Sequence, residues 1–222
     1  MIRFSCPDAK LGYAYAMQPR VTSPYYLVIY HERWGLDNYT RQEVERWFDL
    51  FDQKINVIAP DLYDGQRPTT AEEAADIMKN LSEIRASHIV KGTYGLYGIK
   101  GRYVALGRGF GGYWALQAGI LGLGQAAGSI IYYGNPIMDQ AKIAFLEADV
   151  LGMYAKKDPW VTPLMVENFQ AFMQLNRRNL EVQSFNSKPG FASPGNPNYK
   201  KRLAQQADAA ATAFIKEHLA LR

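Results

Sequence analysis

The sequence predicts an α/β fold in three layers, a mostly parallel central sheet with helices on both faces, and three observations carry that expectation. First, apolar runs of strand length recur along the chain: Tyr25–Tyr30, Ile55–Ala59, Tyr103–Leu106, Ala127–Tyr133 and Asp149–Tyr154. Runs without polar alternation are what strands buried on both faces require. Second, segments with helical spacing separate them, such as Thr40–Phe51 with Val44, Trp47, Phe48 and Phe51 in phase. Strands alternating with helices imply parallel pairing. Third, polar or glycine-rich clusters follow several strands, namely His31-Glu32, Gly107–Gly112 and Asp158. Open α/β sheets bind ligands outside the carboxyl ends of their strands, so three separated segments are expected to converge on one cleft.

The elements follow in chain order. Residues 1–18 alternate, with Ile2 and Phe4 and then Leu11, Tyr13 and Tyr15 around Pro7-Asp8, which suits a two-stranded antiparallel opening. Arg20–Pro24 is a polar turn before the Tyr25–Tyr30 strand, and the Ile55–Ala59 strand stops at Pro60-Asp61-Leu62-Tyr63. Thr70 is a serviceable N-cap with Glu72 and Glu73 in the first turn, and one long helix is expected from there to about His88. Gly92–Gly101 is a glycine-rich connection. Beyond the strand at Asp149–Tyr154, Leu164–Leu175 has helical composition, Leu180–Phe185 reads as a strand and Asn186–Asn198 as a loop. Tyr199–Leu221 has the pattern of a final amphipathic helix. No repeat, low-complexity tract or boundary interrupts this order, and a single domain over residues 1–222 is expected.

Composition narrows the function classes. The chain is 48% apolar and 21% charged, as in ordinary globular proteins, and its net charge is a mild +4. Its basic residues form no stripe beyond pairs such as Arg177-Arg178 and Lys200-Lys201, so no nucleic-acid partner is expected. The one cysteine, Cys6, permits no internal disulfide. Neither a signal-peptide core nor an apolar run of membrane-spanning length is present, so no membrane association is expected and the location expected is the cytoplasm. No His, Cys and carboxylate grouping has metal-ligand spacing, and neither a metal nor a cofactor is expected.

The densest signal is Gly107-Arg108-Gly109-Phe110-Gly111-Gly112, four glycines in six residues between a short strand and a helix. A sharp strand-to-helix turn of the form G-x-S/C-x-G presents a nucleophile at the head of a helix. Here the central position is Gly109, with neither hydroxyl nor thiol. The same residues spell Gly107-x-Gly109-x-x-Gly112, the dinucleotide-binding fingerprint. The acidic residue that fingerprint needs after the next strand is missing, since that strand ends Tyr132-Tyr133-Gly134-Asn135.

Five segments in order complete the picture: His31-Glu32-Arg33-Trp34-Gly35-Leu36, Pro60-Asp61-Leu62-Tyr63, Gly107–Gly112, Asp158-Pro159-Trp160-Val161 and Lys188-Pro189-Gly190-Phe191. Through them the chain resembles the dienelactone hydrolase family of α/β hydrolases over nearly its whole length. The resemblance implies the α/β-hydrolase fold and a triad whose cysteine, aspartate and histidine positions are Gly109, Asp158 and Pro189. Only Asp158 keeps the family's residue type. Nucleophilic acyl transfer needs an attacking atom and a base, with the carboxylate orienting that base. Ser187 and Ser193 stand on a different segment from the elbow, and His88 and His218 fall within helices.

By the same resemblance, the oxyanion hole would use the backbone N–H groups of Phe110 and Arg33, which with the following helix N-terminus favour an anion. Arg33 and Arg108 are candidate side-chain charges, Glu32 is a retained active-site carboxylate, and Trp34 and Trp160 are candidate walls. The expected ligand-binding set is therefore Glu32, Arg33, Arg108, Phe110, Asp158 and Trp160. Two functions are open: a binding protein for a small anionic or carbonyl-bearing ligand, or a carboxylester or lactone hydrolase in which Glu32 and Asp158 activate a water. A third, a pure interaction module, would need a large exposed apolar patch. Oligomeric state is not legible.

Overall fold

The alternation at the N-terminus folds as an antiparallel hairpin, β1 (Ile2–Ser5) against β2 (Leu11–Met17), with Phe4 opposite Gly12. The computed structural model describes residues 1–221 and divides into two compact units, Met1–Tyr103 and Val104–Arg222. In the first unit β2 pairs antiparallel with β4 (Asn56–Pro60), and β4 pairs in parallel with β3 (Tyr25–Tyr30), giving the order β1-β2-β4-β3. The unbroken apolar runs have the predicted consequence: Leu27, Val28, Val57 and Ala59 are wholly buried. Helix α1 (Asn38–Leu50) packs on β4 and β2, with Val44, Trp47 and Phe48 buried. It starts where Asp37 accepts the Thr40 N–H at 2.8 Å.

The one long helix expected from Thr70 to about His88 is two, α2 (Ala71–Asn80) and α3 (Glu83–Gly92). Leu81 is extended at φ −61° and ψ 125°, and Ser82 accepts the Arg85 N–H at 3.2 Å to cap the second helix. A serine side chain that satisfies a backbone donor competes with helix continuation, which is why an unbroken periodic pattern hides a break. The break positions Arg85, whose guanidinium bonds both oxygens of Asp64, at 2.7 and 2.8 Å, and also Asp8 and the Leu11 carbonyl. One side chain thereby ties the hairpin turn to the loop after β4. Within the glycine-rich connection, the single turn α4 (Tyr94–Tyr97) places Tyr97 among the rings of Tyr26, Tyr94 and Tyr103.

The second unit begins within β5 (Arg102–Arg108) and continues through α5 (Phe110–Leu121), β6 (Ala126–Tyr132), α6 (Gln140–Ile143), β7 (Asp149–Ala155), α7 (Pro163–Leu175), β8 (Leu180–Phe185) and α8 (Lys201–His218). Its strands are ordered β5-β6-β7-β8, with β6, β7 and β8 parallel. Helix α5 packs on β6 and is buried on all sides from Trp114 to Ile120, consistent with its lack of a polar face. Helix α8 packs on β6 and β7. Its last turn is pinned by His218, which meets Asp149 Oδ2 at 3.1 Å and stacks on Phe214. Among the described strand pairings, β1-β2 and β2-β4 are antiparallel and β3-β4, β6-β7 and β7-β8 parallel, so the architecture is α/β with mostly parallel strands. No helix among the described residues is long and apolar enough to cross a membrane.

The cap at Ser82 gives a direct test of the helix break. Ser82→Ala is expected to lower stability by about 1 kcal/mol, read as a shift in the urea unfolding midpoint, whereas Ser87→Ala, inside α3, leaves it within about 0.5 kcal/mol.

Candidate functional site

The site is built from the turn out of β5. Gly109 has φ +52° and ψ −117° and stands at the N-cap of α5. That left-handed backbone is nearly free for glycine and strained for other residues, and it is the conformation expected at the apex of a strand–turn–helix elbow. The Gly109 N–H donates to the Tyr132 carbonyl at 2.9 Å, and the Gly109 carbonyl accepts from Gly112 at 3.0 Å. The turn is closed so tightly that a Cβ at Gly107 would lie 1.9 Å from the Gly111 carbonyl oxygen. The elbow is thus fully formed around a residue with no side chain.

The other two positions that the family resemblance singles out, Asp158 and Pro189, follow β7 and β8 of the same unit. Asp158 follows β7 and is 6% exposed. Its Oδ1 accepts the N–H groups of Trp160 at 2.9 Å and Val161 at 3.0 Å, which holds the carboxylate in a fixed direction. The segment after β8 continues beside it, since the Lys157 N–H donates to the Ser187 carbonyl at 3.0 Å. Pro189 follows two residues later, its carbonyl accepting from Asn198 Nδ2 at 2.9 Å. Phe191 then packs edge-on against Tyr133, and Ser193 Oγ meets the Tyr133 hydroxyl at 2.7 Å. Tyr133 directly follows the Tyr132 carbonyl that binds Gly109, so a short chain of contacts brings the segments of Gly109, Asp158 and Pro189 to one edge.

The candidate binding residues divide. Arg108 is 4% exposed, and its Nη2 lies 3.4 Å from Asp208 Oδ1 on α8, with its guanidinium 4.6 Å over the Tyr132 ring. The Tyr132 hydroxyl donates to the same Asp208 oxygen at 2.8 Å. The charge expected to serve a ligand is engaged with α8, because the residue before the apex leaves the elbow toward that helix. Phe110 is half-buried at the first turn of α5 and packs edge-on against Trp114. Trp160 is 72% exposed, so its indole is not a buried wall; its backbone N–H is the part that matters to Asp158.

In the first unit, Glu32 is half-buried and Arg33 exposed, its guanidinium lying 4.9 Å over the Trp34 ring. His31 is buried and structural. Its Nε2 accepts the Leu62 N–H at 3.1 Å and its Nδ1 donates to the Glu32 carbonyl at 2.8 Å, which defines a neutral tautomer. Burial pushes its pKa down, in keeping with that state. Next to it, Asp61 is buried and takes a bidentate pair from Arg67 at 2.7 and 3.2 Å. These bonds explain the Pro60–Tyr63 tetrapeptide as a rigid strand end. Among the described residues no group of three or more His, Cys, Asp and Glu could hold a metal ion.

One polar residue of the second unit, Asp208, escapes sequence reasoning, and one that the sequence set aside, Ser187, is deeply buried. Asp208 sits mid-helix with nothing local to mark it. Ser187 is 1% exposed, and its Oγ has no hydrogen-bond partner among the described residues.

The family model for the dienelactone hydrolase family matches residues 13–219. None of the curated proteins matches the sequence. Among solved structures, a dienelactone hydrolase-like promiscuous phosphotriesterase from metagenomic libraries superimposes with TM-score 0.79 at 17% identity, over 97% of each chain. A thermophilic esterase from the Planctomycetes species Thermogutta terrifontis, with propionate bound, gives TM-score 0.62 at 14% identity over 97% of this chain and 93% of its own. The fold is that of the α/β hydrolases.

The neutral His31 makes stability depend on pH. Its ordinary pKa is 6.5 and burial lowers it in the folded chain, so between the two values only the unfolded chain holds the proton. Stability from this group is complete above the unfolded pKa of 6.5 and declines as the pH falls below it toward the folded value. His31→Asn is expected to cost about 1–3 kcal/mol at neutral pH by leaving the Leu62 N–H unsatisfied. It is also expected to flatten the slope of unfolding free energy against pH below pH 6.5, measured by urea titration at each pH.

Proposed function

The chain belongs to the dienelactone hydrolase family, and we propose that it holds a small anionic or carbonyl-bearing ligand at its strand ends without performing cysteine-type hydrolysis. The observation that carries this reading is Gly109, which occupies the elbow apex at φ +52° with no atom able to attack a carbonyl. Covalent acyl transfer also needs a base beside the nucleophile, and the corresponding position is Pro189, which has no titratable group. Arg108 and Phe110, the neighbours of the apex, carry no nucleophile either. What supports ligand binding is the backbone. A twelve-residue helix begins at the elbow, and its N-terminal dipole favours negative charge or a polarised carbonyl oxygen. The neighbours named for esterase and phosphotriesterase activity suggest the same ligand class, an ester carbonyl or a phosphoryl group. Phe110, through its backbone N–H, and Asp158 are the proposed polar contacts of the second unit, with Arg108 acting through the elbow's anchorage to α8 and Trp160 through its backbone; Glu32 and Arg33 remain the candidates of the first unit.

Hydrolysis of a short-chain aryl ester and of a dienelactone tests the reading. The native chain is expected to give no turnover above buffer, while the double variant Gly109→Cys/Pro189→His gains turnover that a further Asp158→Asn removes. Placing a side chain at the apex is expected to cost about 1–3 kcal/mol in stability, since the left-handed backbone is retained. Native turnover that Glu32→Gln or Asp158→Asn abolishes would overturn the reading in favour of carboxylate-activated water.

A further inference from the structure

In the first unit, the loop after β4 and helix α2 stand apart and bound an open cavity of about 650 Å³, within the roughly 300–1,000 Å³ range of small-molecule sites. Helix α2 lines it with Glu73, Asp76, Ile77 and Asn80, which share one helical face. The break at Leu81-Ser82 brings Arg85 of α3 to the same space and makes the wall concave. Packing holds α2 weakly, since only Ala74 of its ten residues is buried. A short helix is stabilised mainly by burying one face, so a molecule in this cavity would supply contacts that α2 lacks. None of the residues expected to bind a ligand at the strand ends lines it.

The charges of the lining set the ligand class. Arg85 is engaged by Asp64 and Arg67 by Asp61, each at 2.7 Å. Two carboxylates remain, Glu73 and Asp76, one turn apart on α2, and neither is ion-paired among the described residues. Glu73 Oε2 accepts the N–H and hydroxyl of Thr69 at 2.7 and 2.9 Å. The backbone bond from Thr69 holds the Glu73 carboxyl below its usual range, so it is ionised at neutral pH. Like charges at this spacing repel, and an anion entering the cavity would meet both. We propose that the cavity binds a small organic cation, a primary ammonium group held by Glu73 and Asp76 on a hydrocarbon body lying against Tyr63, Ile77 and Leu81. An ammonium offers three donors and no acceptor, which suits two adjacent carboxylates, and its hydrocarbon body gains by leaving water. A bare metal ion finds too few ligands, because no group of three His, Cys, Asp and Glu among the described residues could hold one. The loop on the far wall leads on to the end of β3: Tyr63 donates its hydroxyl to the Arg33 carbonyl at 3.3 Å, and Leu62 its N–H to His31.

The test is an NMR titration of the whole chain with benzylammonium chloride, against benzyl alcohol, sodium benzoate and magnesium chloride at equal ionic strength. Benzylammonium is expected to give saturable shifts centred on residues 62–68 and 73–85, and the neutral alcohol to bind about tenfold more weakly or worse. Asp76→Asn is expected to weaken benzylammonium binding about three- to fivefold, and Glu73→Gln/Asp76→Asn about tenfold or more. Asp76 makes no hydrogen bond or ion pair among the described residues, so its variant reads the site without disturbing α2. Glu72→Gln removes a carboxylate of α2 that does not line the cavity, and is expected to leave binding within about twofold. No saturation, equal binding of the alcohol or the benzoate, the same shifts with magnesium, or equal weakening by Glu72→Gln and Asp76→Asn overturns the proposal. Ester turnover is read separately, so failure here leaves the strand-end reading standing.

Discussion

Backbone meets backbone where β5 turns into α5, and the second unit is arranged around that contact. A Cβ at Gly107 would fall 1.9 Å from the Gly111 oxygen, and one at Gly134 would fall 2.6 Å from the Gly109 oxygen. No side chain can enter either place without moving the helix or the end of β6. The apex between them is locked by its own N–H on Tyr132, which sets the direction in which the chain leaves β6 at Tyr133, φ +41°. Tyr133 in turn seats Phe191 and Ser193 of the loop after β8. The turn is thus a structural element in its own right, and it keeps its form with glycine at its apex.

Charge follows a similar logic. Arg108, Asp61 and His31 sit at strand ends where ligands are expected, yet each is engaged by its own unit: Arg108 with Asp208, Asp61 with Arg67, His31 between Leu62 and the Glu32 carbonyl. A buried charge without a partner costs several kcal/mol and a buried neutral polar group without one is also costly, so these pairings are conditions for closing the strand ends. Asp158 differs. Its Oδ1 is held by the backbone N–H groups of Trp160 and Val161 on its own turn and not by a side chain of opposite charge.

Much of this was legible in the residues. Unbroken apolar runs announced β3, β4, β6 and β7 to within a residue or two, because a strand covered on both faces leaves no room for polar alternation. The four glycines announced the elbow, because only they permit such close approach. The break at Leu81-Ser82 was not legible, since helical periodicity runs through it and a single serine cap decides the matter. The role of Arg108 was not legible either: its partner Asp208 is 100 positions away, and only the packing of α8 on β6 brings them together. Nor was His31, whose partner is a backbone N–H in the turn after β4 and leaves no mark in residue types.

The central claim is that the elbow is intact and has no nucleophile. Intact-mass spectrometry after exposure to a reactive aryl phosphate ester tests it most directly, because such esters phosphorylate activated nucleophiles and leave a stable mass increment. The account predicts an unchanged mass for the native chain. A stoichiometric phosphoryl adduct mapped to the strand ends, at Ser187, Ser193 or Tyr133, would contradict it.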